Sequence, residues 1–175
     1  MKIICFGDSN TWGYDPRGPF GGRYDRPWPE LLAGKPSRTV NNQGENGRQI
    51  PGPTVPFPTD TDLLIIMLGT NDLLQGLSPE AACRQMERFL VSLALDREKI
   101  LLIGPPPMKR GHWVPDQKLI EASVSLSDHY RGLAKRTGVR FADAGQWNVP
   151  LAFDGVHFTE EGHEGFAKGL EQFLV

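Results

Sequence analysis

"DLLIIML", residues 62–68, decides how this chain is to be read. One acid is followed by an unbroken apolar run. A strand with one wet face alternates between apolar and polar residues, whereas a run without alternation fits a strand buried on both faces, as in a parallel sheet covered by helices. The same character recurs on either side, in "KIICF" at residues 2–6 and "KILLIG" at 99–104. Weaker strands are expected at 38–42 and 139–142.

Helical signals fill the gaps. A short helix is expected over residues 28–33. Ser78, Pro79 and Glu80 form an N-cap, a first-turn proline and a first-turn acid, and Ala82, Met86, Phe89, Leu90 and Leu93 then line one face. A long helix is expected over 116–136, ended by Gly138. Thr159 caps a last helix that opens with Glu160 and Glu161. Five strands alternating with helices predict one domain over residues 1–175, an α/β/α three-layer sandwich on a five-stranded parallel sheet. Between the second and third strands, prolines at 51, 53, 56 and 58 rule out a regular helix.

Composition narrows the function. With 19 Lys and Arg against 21 Asp and Glu, the net charge is −2, so a nucleic-acid partner is not expected. No apolar run is long enough for a membrane span, and the residues after Met1 lack the apolar stretch of a secretory signal. Cys5 and Cys83 make no disulfide framework and are read as reduced packing residues, which implies a cytoplasmic protein.

Parallel α/β sheets bind ligands beyond the carboxyl ends of their strands. In order, the segments there are "GDSN", "NQGENGR", "GTND", "GPPPMKRGHW" and "DGVHF". They supply a serine, an acid and a histidine. A serine hydroxyl needs a base to become a nucleophile, and histidine suits that role near neutral pH. His129 is expected mid-helix and His163 inside the last helix, and His112 lies in the loop after the fourth strand. His157 lies at a strand end with Asp154 three residues upstream, a spacing that lets the carboxylate reach Nδ1 and leaves Nε2 for Ser9. Gly44 and Gly47 both qualify as backbone donors to an oxyanion, and Asn71 as a side-chain donor. Asp8 and Asp72 are read as acids that brace their loops.

Taken together these segments resemble the SGNH hydrolases, the GDSL family of esterases and lipases. "FGDSN" is similar to the family's first block, with Asn10 where leucine is usual. "NQGENG" is similar to the second, "GTND" to the third and "DGVHF" to the fourth. The resemblance implies a flavodoxin-like fold, Ser9 as nucleophile, Asp154 and His157 as its partners, and Gly47 and Asn71 as oxyanion donors beside the Ser9 N–H. It implies no cofactor and no metal. "GDSNTWG", "IIMLGTND", "PPP" and "DGVHFT" are most similar to the short-chain arylesterase and acyltransferase branch, whose members act on small acyl groups and are often homo-oligomers. No Gly-x-Ser-x-Gly elbow occurs.

The expected activity is therefore hydrolysis or transfer of short acyl groups of a small ester. Asn10, Trp12, Pro106, Met108, Trp113 and Phe153 are expected to line the substrate pocket. The alternatives within the family are a carbohydrate O-acetyl esterase, with Tyr14 and Trp113 stacking on a sugar, or a lysophospholipase or thioesterase-like enzyme. Outside it stands a small-molecule binding module on a flavodoxin-like sheet.

Overall fold

A computed structural model describes residues 1–53 and 55–174. Five parallel strands form the central sheet: β1 (Lys2–Gly7), β4 (Thr39–Gly44), β5 (Leu63–Met67), β6 (Ile100–Gly104) and β7 (Arg140–Asp143). Their spatial order is β4-β1-β5-β6-β7, so the chain steps outward from β1 to β4, then reverses to β5 on the other side of β1. This is the flavodoxin-like order, and the reversal makes a crevice at the β1/β5 strand ends.

The 62–68 run behaves as its composition requires. Every residue of β5 is buried, as is every residue of β6. Alternate side chains enter two separate cores. Leu64 and Ile66 face Phe89, Leu90 and Met86 of α4 (Pro79–Ser92) and Tyr130 and Leu133 of α5 (Gln117–Thr137). Leu63, Ile65 and Met67 face Trp28 and Leu32 of α2 (Trp28–Ala33) and Phe166 and Leu170 of α6 (Glu160–Glu171). Helices thus cover both faces, and the three-layer expectation holds. The caps lie where the sequence placed them: Ser78 Oγ accepts from Ala81 N at 3.2 Å, Thr159 Oγ1 from Gly162 N at 3.0 Å, and Gly138 ends α5 in the left-handed region.

Several short elements go beyond the sequence reading. A single helical turn, α1 (Ser9–Trp12), follows β1. An antiparallel ribbon, β2 (Tyr14–Asp15) with β3 (Gly22–Arg23), follows α1. After β5 comes a second single turn, α3 (Thr70–Leu74). The second sheet strand also runs later than expected, to Gly44. No described helix is long and apolar enough to cross a membrane, and Cys5 and Cys83 are both free and buried.

Candidate active site

Ser9 is the first residue of α1. Asp8, the N-cap, accepts from Asn10 N at 3.0 Å, so the chain leaves the apolar strand and turns at once. Ser9 Oγ lies 2.9 Å from His157 Nε2, and His157 Nδ1 lies 2.6 Å from Asp154 Oδ2. An ionised carboxylate only accepts, so Nδ1 carries the proton and Nε2 presents its lone pair to Ser9. Asp154 has no exposed surface. Its other oxygen accepts from Val156 N at 2.9 Å and His157 N at 3.0 Å. Burial pulls the Asp154 carboxyl up, but the hydrogen bonds from His157 and Val156 outweigh it and hold the group below its ordinary value.

The other histidines are elsewhere. His129 Nε2 is 3.3 Å from Glu80 Oε1, and His112 is exposed beside Trp113. His163 is buried, and its Nδ1 accepts from Trp28 N at 3.3 Å. Burial first, then the charges of Arg23 and His157, push its pKa down to about 3, which keeps it a neutral packing residue.

A cavity of about 350 Å³ opens beside Ser9, lined by Ser9, Tyr14, Asn46, Gly47, Asn71, Leu74, Gln75, Trp113, Val156 and His157. Of the two glycines left open after the second strand, Gly47 lines it. Gly47 has φ +76°, a conformation L side chains rarely adopt. Gly44 serves packing instead. A Cβ there would stand 2.0 Å from Trp12 N, so only glycine lets β4 end against α1. Asn71 Nδ2 donates to Arg48 O at 3.0 Å, which leaves its second N–H for the cavity. Asp72 braces the same corner by accepting from Ile50 N at 3.2 Å.

Of the six residues expected to line the substrate pocket, five do not line this cavity. Asn10 is buried and spends its amide on backbone, donating to Val156 O at 3.1 Å and accepting from Phe158 N at 2.9 Å. Trp12 packs under the Arg23 guanidinium at 5.7 Å. Met108 is buried in the α4/α5 core. Pro106 borders a separate hollow with Ala144 and Trp147, and Phe153 another with Arg17 and Tyr24. Only Trp113 reaches the cavity. The sequence suggests Tyr14 for sugar stacking alone, yet its ring lies 4.5 Å from the His157 ring. Asn46, Leu74, Gln75 and Val156 carry no signal in the sequence beyond adjacency to a motif. Among the described residues, no cluster of His, Cys, Asp or Glu is placed to hold a metal ion.

The fold is a flavodoxin-like α/β sandwich, and a serine, a histidine and an acid are hydrogen-bonded in series at its switch point. The chain belongs to the GDSL-like lipase/acylhydrolase family, whose sequence model matches residues 5–164. No curated protein matches it in sequence. Among solved structures, the aryl esterase of M. smegmatis is 27% identical with TM-score 0.81, covering 99% of this chain and 97% of that one. A carbohydrate acetylesterase family member from Sinorhizobium meliloti is 26% identical with TM-score 0.82, covering 99% and 96%. A member of the lipolytic G-D-S-L family from Veillonella parvula, 22% identical with TM-score 0.70 and covering 98% and 97%, shares the fold.

Proposed function

We propose that this chain is a serine esterase that hydrolyses or transfers short acyl groups of small esters through an acyl-Ser9 intermediate. The observation that carries the reading is the hydrogen-bonded series Ser9–His157–Asp154 opening into a cavity that Gly47 and Asn71 also line. His157 Nε2 takes the Ser9 proton as Oγ attacks the ester carbonyl. The backbone N–H groups of Ser9 and Gly47 and the free amide N–H of Asn71 hold the oxyanion. Collapse breaks the bond to the alcohol, which leaves with the proton from Nε2. Water, or a second alcohol, gives its proton to Nε2, attacks the acyl carbon, and releases Ser9.

Ser9→Ala tests this. Turnover of p-nitrophenyl acetate falls at least ~10³-fold, and a fluorophosphonate that adds one adduct mass to the parent adds none to the variant. A variant that keeps parental turnover overturns the reading.

A second reading, a carbohydrate O-acetyl esterase, is favoured by the cavity wall itself. Tyr14 and Trp113 offer ring faces and Asn46 and Gln75 offer amides, and the Sinorhizobium neighbour is described as a carbohydrate acetylesterase. Comparing kcat/KM for acetylated xylose and for aryl acetates separates the two.

A further inference from the structure

Arg48 lies beside the cavity without lining it, and its side chain is largely buried, 19% exposed. One guanidinium nitrogen donates to Gly7 O at 3.0 Å and also to Gln43 O. The other donates to Glu45 Oε2 at 2.6 Å, and the guanidinium carbon stands 4.3 Å from the Phe6 ring centroid. The Arg48 carbonyl in turn accepts from Asn71 Nδ2 at 3.0 Å. The residue therefore touches three separate chain segments. Gly7 lies two residues before Ser9, Gln43 sits at the end of the strand that leads to Gly47, and Asn71 follows β5. Each of those segments carries one of the three oxyanion donors.

We infer that Arg48 is a positioning residue whose side chain fixes the Ser9 and Gly47 N–H groups relative to each other while its carbonyl accepts from the Asn71 amide, an inference that rests on the esterase reading above. The residue type fits this role. A planar fork reaches three acceptors at fixed angles, whereas a lysine ammonium is a single compact charge on a flexible stem. Donors serve an oxyanion only where they are already in place, and misplacement of about 1 Å costs on the order of 10²-fold in rate. Gly47 is exposed, and its turn is held by two backbone bonds, Glu45 N to Gly7 O at 3.1 Å and Arg48 N to Glu45 O at 3.2 Å, to which the Arg48 side chain adds its own.

Steady-state kinetics of Arg48→Gln and Arg48→Lys with p-nitrophenyl acetate, each also built on Asn71→Ala, test the inference. Using two replacements keeps a folding defect in one from deciding the result, and near-parental far-UV dichroism qualifies a variant for the comparison. Expected is a roughly 10- to 100-fold loss of kcat with KM within about threefold, because the interaction serves the transition state alone. On the Asn71→Ala background the same change keeps most of its cost, because the guanidinium holds Gly7 and the 43–45 segment while Asn71 bonds only the Arg48 carbonyl. Parental kcat in a folded Arg48→Gln, or a loss that vanishes on the Asn71→Ala background, overturns the role of the Arg48 side chain. A parent that neither turns over esters nor reacts with a fluorophosphonate overturns the esterase reading with it, whereas an active, reactive parent with indifferent Arg48 variants overturns this inference alone.

Discussion

Asp8 and Asp154 are both buried carboxyls near His157, yet their surroundings drive them in opposite directions. Asp154 receives three donors and stays below the ordinary carboxylate range. Asp8 is buried too, and the bond from Asn10 N does not compensate, so its pKa rises to about 6. A folded-state pKa above the unfolded value means the folded protein holds the Asp8 proton more tightly. This group therefore favours folding fully at low pH and loses that contribution as pH rises through about 6. Asp8→Asn keeps a capping side chain but cannot ionise. Relative to the parent, the variant should gain on the order of 2–3 kcal/mol between about pH 4 and about pH 8. Urea unfolding at the two pH values measures this, and parallel pH dependence in the two proteins refutes it. Asp154→Ala has a different signature. It leaves His157 without the acceptor that fixes its tautomer, so kcat should fall on the order of 10⁴-fold with little change in KM.

Short pieces of chain fix the chemistry, and they are the pieces hardest to read. The long strands and helices were legible because burial imposes a pattern: β5 and β6 are apolar throughout, and α4 repeats its apolar face with helical period. The turns α1 and α3, of four and five residues, are too short to show any period. The ribbon that carries Tyr14 pairs only two residues on each side. Ser9, Asn71, Asp154 and His157 could still be singled out, since motifs at strand ends need no period, and the structure brings all four to one cavity or its hydrogen bonds. Where a side chain points was not legible. Asn10 follows Ser9 in a polar loop and reads as pocket lining, but the helical turn aims it inward, where it clasps Val156 O and Phe158 N on either side of His157. Asn10→Ala leaves both backbone groups buried and unpaired, at about 1–3 kcal/mol for each unsatisfied group. The denaturation midpoint should therefore drop, and kcat should drop at least ~10-fold while KM holds. Unchanged kcat in a folded variant would show that His157 is held without the clasp.

The whole molecule explains why one small cavity draws on so many loops. Order β4-β1-β5-β6-β7 puts the first strand between the two halves of the sheet, and with all five strands parallel their carboxyl ends face one rim. Ser9 and Tyr14 come from beyond β1, Gly47 from beyond β4, Asn71 and Leu74 from beyond β5, Trp113 from beyond β6 and His157 from beyond β7. The last two loops are joined to each other: Lys109 N donates to Gly155 O at 3.0 Å, His112 N to Phe153 O at 3.2 Å and Trp113 N to Asp154 O at 3.0 Å. Trp113, 60% exposed as a residue, is thus pinned through its backbone and lines the cavity. Removing the ring should widen the cavity and leave the loop's backbone bonds intact. Each buried methylene contributes about 0.8 kcal/mol to apolar binding, and a wall that stops a longer acyl chain denies it that gain. Trp113→Ala should therefore raise the ratio of kcat/KM for p-nitrophenyl hexanoate over p-nitrophenyl acetate at least about fivefold. A ratio that does not move would place the acyl chain against other lining residues, such as Tyr14 or Leu74, and away from Trp113.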